Sequence, residues 1–200
     1  ARPGLRRLPC FRSVARSARS SNWSISAAHP RAGKAWADGL REGGTAADAM
    51  VAAQARLGLV EPQSSGRGGG GVLVFYDAAT GEVSTLDGRE TAPRDATPQL
   101  FQADGEPMGF FDAVVGGLSV GVPGTPALLE AANQRWGQKP CARLFTPAIR
   151  AAQEGFEVSA RLGAMVARDQ ERLAVHPVTS AYFLPEGEPI TAGSVLQNAP

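Results

Sequence analysis

The chain has 200 residues, 43% of them hydrophobic, enough to bury one core. Its 20 basic and 19 acidic residues nearly cancel, but Arg2, Arg6, Arg7, Arg12, Arg16 and Arg19 all precede the first acidic residue, Asp38. Taking those six from the +1 total leaves −5 for the remainder, which argues against a nucleic-acid partner gripped by a basic face of the folded body.

The opening, ARPGLRRLPCFRSVARSARSSN, is Arg- and Ser-rich and holds no continuous apolar segment. It fits neither a secretory signal nor a membrane span, and residues 1–23 read as a basic, disordered leader. From Ala27 to Glu42 the spacing predicts a helix, with Pro30 in its first turn and Ala28, Ala32, Trp36 and Leu40 on one face. Gly43-Gly44 ends it. Thr45-Ala46-Ala47-Asp48 then resembles a capping box with Asp in place of Glu, opening a second, Ala-dense helix to about Leu57. VLVFYD and EVSTLD, around Ala78-Ala79-Thr80-Gly81, predict a β-hairpin. Residues 89–124, with four prolines, predict loops. Helices are expected over Thr125–Trp136, Phe145–Glu154 and Ser159–Arg172, and irregular chain from His176 onward. This order points to an α/β protein, helices layered on an antiparallel sheet.

The stretch EPQSSGRGGGGVLVFYD contains a literal G-x-G-x-x-G at Gly66, Gly68 and Gly71. A dinucleotide cradle needs strand, glycines, then helix, so that a pyrophosphate meets a helix N-terminus. Here a helix leads in and a strand leads out. A phosphate loop fails because Val72-Leu73 fills the Lys-Ser/Thr positions, and a hydrolase elbow fails because Gln63 stands where its first glycine belongs. Two readings remain: a tight backbone entry into a strand, or a direct approach to substrate. Cys10 and Cys141 have no metal or redox spacing, and His29 and His176, each before a proline, read as loop or helix-start residues.

Several segments together carry a resemblance: AAHP at 27–30, GGTAADAMVAAQ at 43–54, LGLVEPQSSGRGGGG at 57–71 and VFYDAATGEVSTLDGRETAP at 74–93. GGLSVGVPGT at 116–125, LFTPAIRAAQEGFEVS at 144–159 and FLPEGEPITAG at 183–193 continue it. In order and spacing these resemble the N-terminal portion of the large subunit of the γ-glutamyltranspeptidase family, over about residues 24–198. The resemblance implies an N-terminal-nucleophile hydrolase fold, a four-layer αββα sandwich that is incomplete in this chain. It implies a precursor that cuts itself into a heterodimer of large and small subunits. A threonine exposed by that cut attacks γ-glutamyl amides such as glutathione, and water or an amino acid takes the acyl group. No cofactor or metal is implied, and the implied location is periplasmic or extracellular.

By the same resemblance the substrate-binding residues are Arg89 and Glu90, in R-E-T-A-P. Arg89 would hold the α-carboxylate of the γ-glutamyl group, a task suited to a permanently charged fork of N–H donors. The competing reading is a surface arginine paired with Glu90 or Asp87. Glu90 would orient the substrate amine or Arg89, or simply anchor the loop. No catalytic residue is expected within these 200 residues, since the nucleophile belongs to the small subunit. Arg67 and Gly88 depart from the family pattern, and Gly88 is expected to loosen the aim of Arg89. The other readings are an acylase of the cephalosporin type on the same fold and a catalytically inert large-subunit fragment.

Overall fold

The computed structural model describes residues 16–19 and 22–198. Arg16–Arg19 (β1), inside the stretch read as a leader, pairs antiparallel with Ser24–Ala27 (β2); Cys10 and the rest of that stretch before Asn22 lie outside the described residues. Helix α1 runs Pro30–Arg41, three residues later than the sequence spacing suggests, because Ala27 is still in a strand and His29 is the cap. The His29 Nδ1 accepts the Arg31 N–H at 3.1 Å, as a first-turn orphan donor requires. Gly43, at φ 78°, reverses the chain.

Helix α2, Ala46–Val60, opens with the expected capping box: Asp48 N–H donates to Thr45 Oγ1 at 3.2 Å and Thr45 N–H to Asp48 Oδ2 at 2.9 Å. The two helices lie close because small residues meet: Ala32, Ala49 and Ala53 are buried, and a Cβ on Gly39 would stand 3.6 Å from the Ala49 Cα. Asp48 is fully buried and does more than cap. Its carboxylate also accepts from Asn133 Nδ2 at 3.0 Å, Gln138 N–H at 3.0 Å and Lys139 N–H at 3.3 Å. Burial alone would raise its pKa, but the N–H groups of Thr45, Gln138 and Lys139 outweigh that and hold it below its ordinary value.

The hairpin is as expected: Gly71–Asp77 (β3) against Glu82–Gly88 (β4), in register from Gly71↔Gly88 to Asp77↔Glu82. Its turn is held by Ala79 N–H to Asp77 Oδ1 at 2.9 Å and by Gly81 at φ 76°. Side chains alternate: Phe75 stacks on Trp136 at 4.3 Å, while Val72, Val74, Tyr76 and Val83 face outward and are mostly exposed. That leaves an apolar sheet face uncovered.

Residues 89–124 are mostly loop, with a two-strand ribbon, Gln102–Ala103 (β5) and Glu106–Pro107 (β6), and one short helix, Phe110–Val114 (α3). Helix α4 spans Thr125–Trp136, the predicted range. Helix α5, Cys141–Glu154, begins four residues before the predicted start because Cys141 and Leu144 pack with Val51, Ala52 and Leu129. Phe156–Glu157 (β7) pairs with Val195–Leu196 (β8). The helix predicted over 159–172 is two: Ala160–Arg168 (α6) and Gln170–Leu173 (α7), broken at Asp169, whose carboxylate takes both Arg168 and Arg172.

Beyond His176 the sequence reading is corrected, since Pro177–Phe183 (α8) is helical. Leu184 and Ile190, just after it, join Val60, Phe156, Leu162 and Leu196 in the largest buried cluster. Burial in that shared core, not local propensity, orders the segment.

Candidate active site

Arg89 follows the last residue of β4 directly, at the end of a hydrogen-bonded strand. Its backbone N–H donates to Asp87 Oδ1 at 3.0 Å, and its side chain is 67% exposed. The Nε stands 3.4 Å from Glu90 Oε2, a charge contact without hydrogen-bond geometry; among the described residues neither Nη1 nor Nη2 is taken. The structure thus brings Arg89, Glu90 and Asp87 together but leaves the bidentate end of the guanidinium open. Arg89 lines a cleft of about 520 Å³ together with Leu100, Phe101, Leu118 and Val120.

Glu90 is the better anchored of the pair. Its Oε2 is buried and has no hydrogen-bond partner among the described residues. The glycines explain how the backbone reaches it. A Cβ on Gly70 would meet Gly88 O at 2.5 Å and both Glu90 N and Glu90 Oε2 at 2.7 Å. A Cβ on Gly121 would stand 2.9 Å from the Glu90 Cβ, and one on Gly124 would strike the Gly88 carbonyl. Three strands of backbone therefore close on the Gly88–Glu90 elbow where no side chain fits. The tight position is Gly70, outside the G-x-G-x-x-G pattern; Gly66 and Gly68 have open space around them. The Gly69 carbonyl then accepts the Gly124 and Thr125 N–H groups at 3.0 and 2.9 Å, capping α4 with the glycine loop.

The expectation that Gly88 loosens Arg89 is corrected. Gly88 is buried, and a Cβ there would stand 2.6 Å from the Leu128 Cβ, so its bareness is what seats α4 against the hairpin. Arg67 is exposed and does not line the Arg89 cleft.

Glu61 is the site-adjacent residue that the sequence reading passed over. Its side chain is 3% exposed and accepts from Gln63 Nε2 at 2.7 Å, Ser159 Oγ at 3.3 Å and Arg161 Nη1 at 2.9 Å. Arg161 Nη2 also donates to Ser64 Oγ at 2.8 Å, so α6 clasps the entrance of the glycine loop. A second cleft of about 490 Å³ lies between Glu61 and Glu90. An acidic residue at the C-cap of an Ala-rich helix, directly after the apolar Leu57-Gly58-Leu59-Val60, was the signal for it. His29 is nearby: its burial depresses the imidazole pKa, Glu61 raises it, and Arg31 and Arg56 lower it again. His29 serves as a neutral cap, as its place before Pro30 suggested, whereas His176 stands at the N-cap position of α8 without a side-chain capping bond. Among the described residues no cluster of three or more His, Cys, Asp or Glu could hold a metal.

The sequence profile described as Gamma-glutamyltranspeptidase matches residues 32–200. The glutathione hydrolase proenzyme of Bacillus subtilis (strain 168) is 40% identical over 173 residues, covering 86% of this chain and 29% of its own length. The crystal structure of Helicobacter pylori gamma-glutamyltranspeptidase superposes with a TM-score of 0.81 at 32% identity, over 92% of this chain and 51% of that one. A cephalosporin acylase from Bacillus halodurans shares the fold at a TM-score of 0.70 and 26% identity, over 84% of this chain and 32% of that one. The chain therefore spans less than a third of the length of the curated relative, and its α/β layering is that of these N-terminal-nucleophile hydrolases. Matched along most of its sequence and across nearly all of its described fold, the chain belongs to the gamma-glutamyltranspeptidase family.

Proposed function

We propose that this chain is the N-terminal portion of the large subunit of a γ-glutamyltransferase and glutathione hydrolase. In this reading Arg89 receives the α-carboxylate of a γ-glutamyl compound through Nη1 and Nη2. Glu90, wedged under Gly70 and Gly121, fixes the guanidinium at Nε and adds a negative charge near the substrate amine. The nucleophilic threonine comes from a small subunit cut from the same precursor, and the resulting acyl-enzyme passes its glutamyl group to water or an amino acid. The observation that carries the reading is the geometry at Arg89: a rigid strand end presents a guanidinium whose paired donors are unspent and open to a cleft. The same reading places the enzyme outside the cytoplasm, in the periplasm or the extracellular space.

The acylase reading draws on the shared fold of the Bacillus halodurans protein. An acyl chain without an amino-acid end gives Arg89 no carboxylate at that position, so the open fork favours the γ-glutamyl substrate. The deciding assay follows p-nitroaniline release from γ-glutamyl-p-nitroanilide by the natural polypeptide that carries this chain, alongside butyryl-p-nitroanilide, which lacks both the α-amine and the α-carboxylate. Turnover of the first is expected. Turnover of the butyryl compound alone would hand the site to the acylase reading, and turnover of neither would support the inert fragment.

A further inference from the structure

A cavity of about 570 Å³ lies away from Arg89, where α1, α2 and α5 meet. Its walls are cationic: Arg31 and Lys34 from α1, Arg56 from α2, and Arg143 and Arg150 from α5. Three carboxylates share the walls, and two already have partners. Asp38 takes Lys34 at 2.6 Å and Arg41 at 2.8 Å, and Glu154 lies 3.9 Å from Arg150. Glu42 is exposed, and its backbone carbonyl accepts from Lys139 Nζ at 2.7 Å. The surplus is therefore positive. Arg31 has only a loose contact at 3.8 Å with the exposed Glu157, and Arg143 stands exposed on the rim.

Arg56 is the telling group. It is half-buried, and its Nη1 donates to the Pro147 carbonyl. Its Nε, however, is buried without an acceptor among the described residues. A desolvated guanidinium N–H left unmatched is costly, and such groups are ordinarily satisfied from somewhere. The local field agrees. Burial weakens the hold of Arg56 on its proton, the charge of Arg31 pushes in the same direction, and Glu154 only partly opposes them. A polar neutral donor, Thr146, lines the same wall.

We propose that this cavity is a binding site for a small oxyanion of the phosphate class, with Arg56 Nε as the inner donor and Arg31 and Arg143 as the outer ones. Planar guanidinium forks suit such an anion in both charge and donor geometry. The cavity shares no wall residue with the Arg89 cleft. The ligand is either free phosphate or the phosphate of a monoester, and both present the same oxygens.

The test is calorimetric titration of the natural polypeptide carrying this chain, purified without phosphate. The titrants are potassium phosphate, glycerol phosphate and, at matched ionic strength, potassium chloride. Saturable binding of phosphate and none of chloride is expected, weakened about tenfold in Arg56→Met, which keeps the buried stem but loses the donors. Arg143→Gln, on the exposed rim, should weaken it about threefold without touching the core, so the reading survives any loss of stability in the first variant. Glycerol phosphate binding as tightly as phosphate marks an ester site, and its exclusion marks a site for the free ion. Absence of saturable binding, as when an acidic polypeptide segment fills the cavity, overturns the proposal, as does equal affinity in both variants.

Discussion

Glu90 Oε2 lies 3.4 Å from Arg89 Nε while packed beneath the bare Cα of Gly70, so a carboxylate with one oxygen buried touches the exposed guanidinium and leaves both Nη groups open. Two adjacent residues thus divide the work: one is anchored by the glycine loop, the other reaches into solvent. The functional reading rests on that division.

Arg89→Lys should lower kcat/KM for γ-glutamyl-p-nitroanilide by about 2 kcal/mol, near thirtyfold, since a single ammonium cannot reproduce paired donors to a carboxylate. The loss should fall mainly in KM. Steady-state kinetics with an unchanged kcat/KM would remove Arg89 from the substrate site.

Gly70→Ala should destabilise the fold by about 1–3 kcal/mol, because the new methyl meets the Gly88 carbonyl and the Glu90 backbone, neither of which can swing aside. Gly68→Ala, with nothing within 4 Å, should be nearly silent. Chemical denaturation of the two variants compares them directly; equal stability would show that the elbow is not close-packed.

Asp48→Asn should cost about 3 kcal/mol, since an amide turns an N–H group toward backbone donors that now face a carboxylate. The folded pKa of Asp48 lies below its ordinary 3.8, so its contribution is complete above that value and is lost as pH falls through the folded pKa. The gap between wild type and variant should therefore narrow in acid. Melting temperatures at neutral and acidic pH check both parts, and a constant gap would refute the charge argument.

His29 is held neutral, its folded pKa depressed below the ordinary 6.5 chiefly by burial. The unfolded imidazole takes its proton first, so this contribution to stability is full above 6.5 and fades as pH falls through the folded value. Protonation would also remove the Nδ1 acceptor that caps α1. His29→Asn retains a capping group without the titration, and should flatten the change in melting temperature between about pH 7.5 and about pH 5. An unaltered pH profile in scanning calorimetry would assign the effect to other groups.

Much of this was legible in the chain itself. The Thr45–Asp48 box, the hairpin around Gly81 and the helix from Thr125 to Trp136 are written in local chemistry: a hydroxyl three residues before a carboxylate, alternation broken by a glycine, an apolar spacing closed by Gly137. The order of helix, glycines and strand also sufficed to reject a nucleotide cradle, because phosphate binding depends on which element follows the loop.

Other features have no local signature. Helix α8 and the β7–β8 pair join residues about forty positions apart and form because Phe156, Leu184, Ile190 and Leu196 share one core. Glycine identity told nothing about which glycine is indispensable; Gly70, Gly121 and Gly124 became so only when backbone segments converged on the Gly88–Glu90 elbow, and Gly88 only when Leu128 of α4 packed on it. The clasp of Arg161 on Glu61 spans a hundred residues, and the unmatched Nε of Arg56 is visible only once α5 lies against α2. Amino-acid order determined the elements and the family, since caps, turns and periodicity act within a few residues. Tertiary packing decided which groups are left without partners, because desolvation depends on what the whole fold brings alongside.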